Sequence, residues 1–190
     1  MRRKRLFTIF LPAFLLLGGV GVGGSSLTAC GNSSSVGGDC FDNSSIDLTT
    51  PTVSFKKDVL PTFRQSCGLS TSCHGDPNGG SLGGQHFYGP SMSAPAPSAA
   101  DLQAIMDQSV GKASTANPDM MVIKAGDPGN SFMMYKLDGD PTAVNGVTCE
   151  TLTCAKDMSC LLAMPSGGPQ LPAASRDTIR RWIAQGAKND

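Results

Sequence analysis

The first thirty residues determine the compartment in which this chain is expected to fold, and with it what its seven cysteines can do. Four of the first five residues are basic (Arg2, Arg3, Lys4, Arg5), and Leu6 to Leu17 form an apolar run. A stretch of Gly and Ser then leads to Leu27-Thr28-Ala29-Cys30. This order is that of an export signal: positive region, apolar region, small-residue cleavage site. The apolar run is short for a bilayer span, and Gly18 onward weakens it further. Export implies an oxidising compartment, where an even set of cysteines is first of all a disulfide framework.

Leu-Thr-Ala-Cys also resembles the bacterial lipobox, whose cysteine becomes the first mature residue and carries lipid. That resemblance implies a lipidated Cys30, which would anchor the protein to a membrane without spanning it. Gly31, where some lipoproteins have Asp, implies outer-membrane sorting, facing the periplasm or the exterior. An ordinary secretory signal with a chance Cys is the other reading. The organisation expected is a signal peptide over 1–29, a flexible tether rich in Ser, Gly, Asp and Thr over 30–52, and a folded domain over 53–190.

Loss of the basic end leaves eleven Lys and Arg against fifteen acids, a balance of about −4. A mildly acidic chain without a basic stripe excludes nucleic acid as an expected partner. Fourteen of the acids are Asp and one is Glu, so long helices with Glu–Lys pairing are not expected.

The patterning of 53–190 is helical and loop-rich. Phe55, Val59 and Phe63 recur every four residues, with Ser54 as a cap and Pro61 as either a kink or the opening of the last turns. Gly75 to Ser98 reads as a long loop. Asp101 to Val110 makes a second helix, with Leu102, Ile105 and Met106. Asp127-Pro128 opens a third, running through Phe132, Met133 and Leu137 to Gly139. In the fourth, Ser175 caps, Asp177 lies in the first turn, and Ile179, Trp182 and Ile183 share a face before Gly186. The class expected is all-α, with about four helices and disulfides.

Chemistry concentrates at two points. The first is Cys67-Gly-Leu-Ser-Thr-Ser-Cys73-His74-Gly75. Cys followed directly by His is the tail of the heme attachment signature C-x-x-C-H, in which cysteine sulfurs bond the porphyrin and the adjacent imidazole turns onto the iron. Five residues separate these cysteines, with Ser70 in the usual place of the first, and a local Cys67–Cys73 disulfide is the competing reading. The second point is Met164-Pro165 in a Gly- and Pro-rich loop, where restricted dihedrals can present a thioether in a fixed direction. Met120, Met121, Met133 and Met134 read as packing residues, and His86 as a loop-surface residue. Two His and one Glu supply no nucleophile–base pair, so a carrier is expected rather than an enzyme.

Taken in order, these pieces resemble a class I c-type cytochrome domain of a divergent bacterial type. The resemblance rests on four segments. Phe55-x-x-Asp58-Val59-x-Pro61 comes first, then Cys73-His74, then Gly126-Asp127-Pro128-x-x-Ser131, and last Trp182-Ile183-x-x-Gly186-Ala187. It implies heme c, with Cys67 and Cys73 as thioether donors, His74 as proximal ligand and Met164 as distal ligand. It also implies redox partner proteins in the cell envelope. Cys149, Cys154 and Cys160 are extra to the family's minimum and with Cys40 are expected to form two disulfides. The alternative is a heme-free, disulfide-stapled lipoprotein that keeps the cytochrome-like fold as a structural or interaction module.

Overall fold

The computed structural model describes residues 41–78, 86–139 and 163–190. Among them the structure is helical, with α1 (Leu60–Ser66), α2 (Ala99–Ser109), α3 (Phe132–Asp138) and α4 (Ala173–Ala184). Strand-like pairing among the described residues is confined to three isolated bridges around 110–131. The all-α class is therefore observed. Cys67 and Cys73 are not bridged to each other. Cys30, Cys40, Cys149, Cys154 and Cys160, with the lipidation and disulfides expected of them, lie outside the described residues.

Pro61 decides how the first helix is wound. Its missing N–H and its ring exclude an ordinary turn onto the preceding carbonyls, and Phe55–Val59 widens into a π-helical turn before α1 begins at Leu60. Ser54 caps that turn, its hydroxyl accepting from the Lys57 N–H. The Asp190 carboxylate accepts from the Phe55 N–H at 2.9 Å. Phe55, Val59 and Phe63 are all buried, as their spacing requires.

Helix α4 is the element the core is built on. Trp182 packs at 5.2 Å from Phe55 and 6.2 Å from Phe63 between ring centroids, so the first and last helices share one aromatic cluster. Edge-on and tilted ring pairs of this kind add roughly 0.5–1.5 kcal/mol each beyond their area burial. The helix ends in a Schellman motif: the Ala187 N–H bonds the Trp182 carbonyl, the Gly186 N–H bonds that of Ile183, and Gly186 takes φ +102°. Gln185 donates from its side-chain amide to the carbonyls of Leu48, Thr49 and Pro51. Part of the segment whose composition suggests a tether is thus held on α4.

Three boundaries differ from the sequence expectation. Helix α2 begins earlier, because Ser98 and Asp101 form a reciprocal capping box. The third expected helix divides in two. Pro128–Asn130 is a single 3-10 turn, and Ser131 returns to extended backbone before α3 starts. Gly129 and Asn130 are poor helix formers, and the first α3 donors find loop carbonyls instead: Phe132 N–H to Met121, Met133 N–H to Val122. Helix α4 starts at Ala173, with Pro172 as its cap residue and Ser175 inside the first turn. The Pro172 carbonyl takes the N–H groups of both Ser175 and Arg176, which leaves Ser175 no capping role. Among the described residues no helix is long and apolar enough to cross a membrane.

Candidate functional site

Helix α1 runs out at Cys67, whose N–H still bonds the Phe63 carbonyl at 2.8 Å. The following loop closes on itself: the His74 N–H donates to the Cys67 carbonyl at 3.0 Å, while Cys73 and Gly75 both donate to Ser70. Five intervening residues therefore do not hold the two ends of the motif apart. The closure leaves no room for side chains at its glycines. A Cβ on Gly68 would lie 2.1 Å from the Gly89 carbonyl oxygen, and one on Gly75 would lie 2.8 Å from that of Ser70.

His74 is oriented by two neighbours. Its Nδ1 lies 2.7 Å from the carbonyl oxygen of His86; a carbonyl only accepts, so Nδ1 carries the proton and Nε2 keeps its lone pair. The ring also packs on Tyr88 at 4.8 Å between centroids. Burial holds its pKa below the ordinary imidazole value, and this leaves it neutral at pH 7. A neutral imidazole whose far nitrogen is tied to a main-chain carbonyl has the state of a metal-ligating histidine with its supporting partner in place.

Met164 arrives from the other end of the chain. Its N–H bonds the Lys136 carbonyl at 2.7 Å. Six residues on, the Gln170 amide donates to the carbonyls of Leu137, Asp138 and Gly139. These are the groups a helix C-terminus leaves without partners, so α3 serves as the mounting point for the Met164–Gln170 loop.

Cys67, Cys73, His74 and Met164 all line one cavity of about 370 Å³. That volume falls within the roughly 300–1,000 Å³ usual for cofactor and small-molecule pockets. Phe63, Val122, Phe132 and Leu137 give it apolar walls. Burial, with Cys73 adding a smaller effect, pushes the Cys67 thiol up to about 12, and the sulfur stays protonated at neutral pH.

Two expectations change here. His86 is not a loop-surface residue: it is half-buried, lines the same cavity, and its Nδ1 donates to the Gln108 carbonyl at 2.5 Å. Met121 is 43% exposed and contributes through its backbone, whereas Met133 and Met134 are buried and Met120 packs against a smaller apolar cluster. Tyr88 and Lys136 line the cavity without having been singled out from the sequence. Lys136 is buried, its ammonium stands 5.8 Å from the centroid of Phe132, and burial holds its pKa at about 8. Its signal was position alone, four residues after Phe132 and three after Met133 on one short helix.

Neither protein-family models, curated proteins nor solved structures yield a match to this chain.

Proposed function

We propose that this chain is a lipid-anchored electron-transfer protein of the cell envelope that binds heme c with His74 and Met164 as axial ligands, on a cytochrome-c-like fold. One observation carries the reading. Residues from two distant parts of the sequence, Cys67-x5-Cys73-His74 and Met164, line a single cavity with apolar walls, and the hydrogen bond at Nδ1 leaves His74 Nε2 its lone pair. Among the described residues, no three His, Cys, Asp or Glu side chains converge as a cage for a bare ion. An imidazole and a thioether on the lining of one cavity are the donor pair that heme iron takes in electron carriers.

Bound heme would supply a one-electron couple. Cys67 and Cys73 would hold it covalently, His74 would supply the imidazole, and Met164 the thioether that raises the reduction potential. The apolar walls would keep water from the iron, and the α3 mounting of the Met164 loop would hold the thioether beside it. The reading is of a carrier rather than an enzyme, with redox proteins of the envelope as partners. The disulfides expected of Cys40, Cys149, Cys154 and Cys160 belong to the same proposal.

The test is an absorption spectrum of protein made with the heme attachment machinery, followed by a denaturing gel stained for covalent heme. In heme-loaded protein, Met164→Ala is expected to remove the sulfur–iron charge-transfer absorption and lower the potential. The fold should persist, because Trp182 and Ile183 keep their buried face. An unchanged spectrum and potential would move the sixth ligand elsewhere, His86 first. A native protein with no heme would leave the heme-free structural module.

For the anchor, Cys30→Ser is expected to shift the protein from the membrane fraction to the soluble envelope fraction. Unaltered membrane association of that variant would sink the lipoprotein reading.

A further inference from the structure

His74 is one end of a hydrogen-bond chain that passes through a single peptide unit. The carbonyl of His86 accepts from His74 Nδ1 at 2.7 Å, and the N–H of Phe87, the other half of that peptide, donates to Gln108 Oε1 at 3.0 Å. Gln108 makes two more bonds at the same place. Its Nε2 donates to the Pro77 carbonyl at 2.7 Å, and its own main-chain carbonyl accepts from His86 Nδ1 at 2.5 Å. The two side-chain partners are of opposite kinds, a donor and an acceptor, so they fix which end of the amide carries oxygen. Gln108 stands in the last turn of α2, a rigid element opened by a capping box.

A peptide unit transmits polarisation. An acceptor on its N–H makes its carbonyl a stronger acceptor, and hydrogen bonds in series reinforce one another in this way. A stronger acceptor at Nδ1–H makes Nε2 a better electron donor to a bound metal. We propose that Gln108 is a positioning residue for His74: acting through the His86–Phe87 peptide, it keeps the proton on Nδ1 and raises the basicity of Nε2. The consequence for a reduction potential rests on the heme reading above; the consequence for the tautomer does not.

The experiment uses the full chain, made with and without heme attachment, as wild type, Gln108→Leu and Gln108→Glu. In heme-free protein, long-range nitrogen–proton NMR reads which ring nitrogen of His74 is protonated. The wild type is expected to carry the proton on Nδ1, and Gln108→Leu to shift population toward Nε2. In heme-loaded protein the two variants should move the potential in opposite directions. Gln108→Leu removes the acceptor, leaves His74 a weaker donor and raises the potential. Gln108→Glu places a charged acceptor on the Phe87 N–H and lowers it. The expected size is roughly tenfold at most in the ratio of oxidised to reduced protein at fixed potential, the lower end of what supporting partners of a ligating histidine supply.

A merely structural role would leave the His74 tautomer of folded Gln108→Leu as in the wild type. That outcome, or no movement of the potential in either variant, overturns the inference while leaving heme binding intact. Should Gln108→Leu fail to fold, Gln108→Met, which likewise removes the acceptor from the Phe87 N–H, takes its place. Should the wild type bind no heme, the proposed function fails, and the tautomer still decides: a wild-type His74 protonated on Nε2, or a Gln108→Leu protein with unchanged tautomer, refutes the relay.

Discussion

Cys73→Ser should abolish covalent heme, whereas Cys67→Ser should leave part of it attached. Cys73 is adjacent in sequence to His74, so a thioether there and an iron–imidazole bond hold the same stretch of chain. Cys67 lies at the far end of the closed loop, joined to His74 through its own carbonyl. Its thiol is pushed up to about 12 by burial, and a protonated sulfur is the poorer nucleophile. The check is a heme-stained denaturing gel together with mass spectrometry of the tryptic peptide from Gln65 to Lys112, which contains both cysteines and His74. Loss of all heme in both variants alike would contradict the asymmetry. An intact Cys67–Cys73 disulfide with no heme mass, in protein from its native envelope, would overturn the carrier reading altogether.

Asp138→Asn should cost about 3 kcal/mol and lower the melting temperature by roughly 10 °C, because it takes the carboxylate from Arg176 and leaves the buried Arg180 with Asp177 alone. Asp138 closes α3 and accepts from Arg176 at 2.9 Å and Arg180 at 2.5 Å on α4. The Arg180 side chain is 1% exposed. It also bonds Asp177 at 2.7 Å, and its guanidinium carbon lies 3.5 Å from the centroid of Phe41. Gln170 grips the carbonyl of the same Asp138, so loosening this joint also loosens the mount of the Met164 loop. Arg180→Met should cost less than Asp138→Asn, since it removes the buried charge along with its partner bonds. Thermal unfolding followed by circular dichroism measures both. An Asp138→Asn protein that melts with the wild type would show that the joint carries no stability.

Much of the helical framework was legible because it follows from local rules. The four-residue recurrence of Phe55, Val59 and Phe63 can only bury its face as a helix, and all three are buried. Ile179, Trp182 and Ile183 obey the same rule, and Gly186 ends their helix in the left-handed conformation its lack of a Cβ allows. Helix starts were less legible where side-chain capping competed with backbone capping. Ser175 has the composition of a cap, yet the Pro172 carbonyl takes that place. The Gly129-Asn130 break was visible as weak propensity, but whether α3 would restart at Phe132 depended on carbonyls of Met121 and Val122 that only the folded loop supplies.

Residue types at the site belong to the sequence; their convergence does not. Cys73-His74 and Met164-Pro165 are recognisable as ligand chemistry wherever they fall, because thiol, imidazole and thioether donors are intrinsic to the side chains. That Cys67 and Met164, nearly a hundred residues apart, line one cavity was decided by the closing hydrogen bond from His74 to Cys67 and by α3 carrying the Met164 loop. His74 Nδ1 likewise meets a peptide carbonyl that the folded chain brings to it, in a peptide unit bonded to the end of α2. His86 and Gln108 had no sequence signal for this role, since each acts mainly through backbone groups or through the position of another residue's backbone. Backbone groups are the same at every position of a chain, and only packing chooses which of them meet.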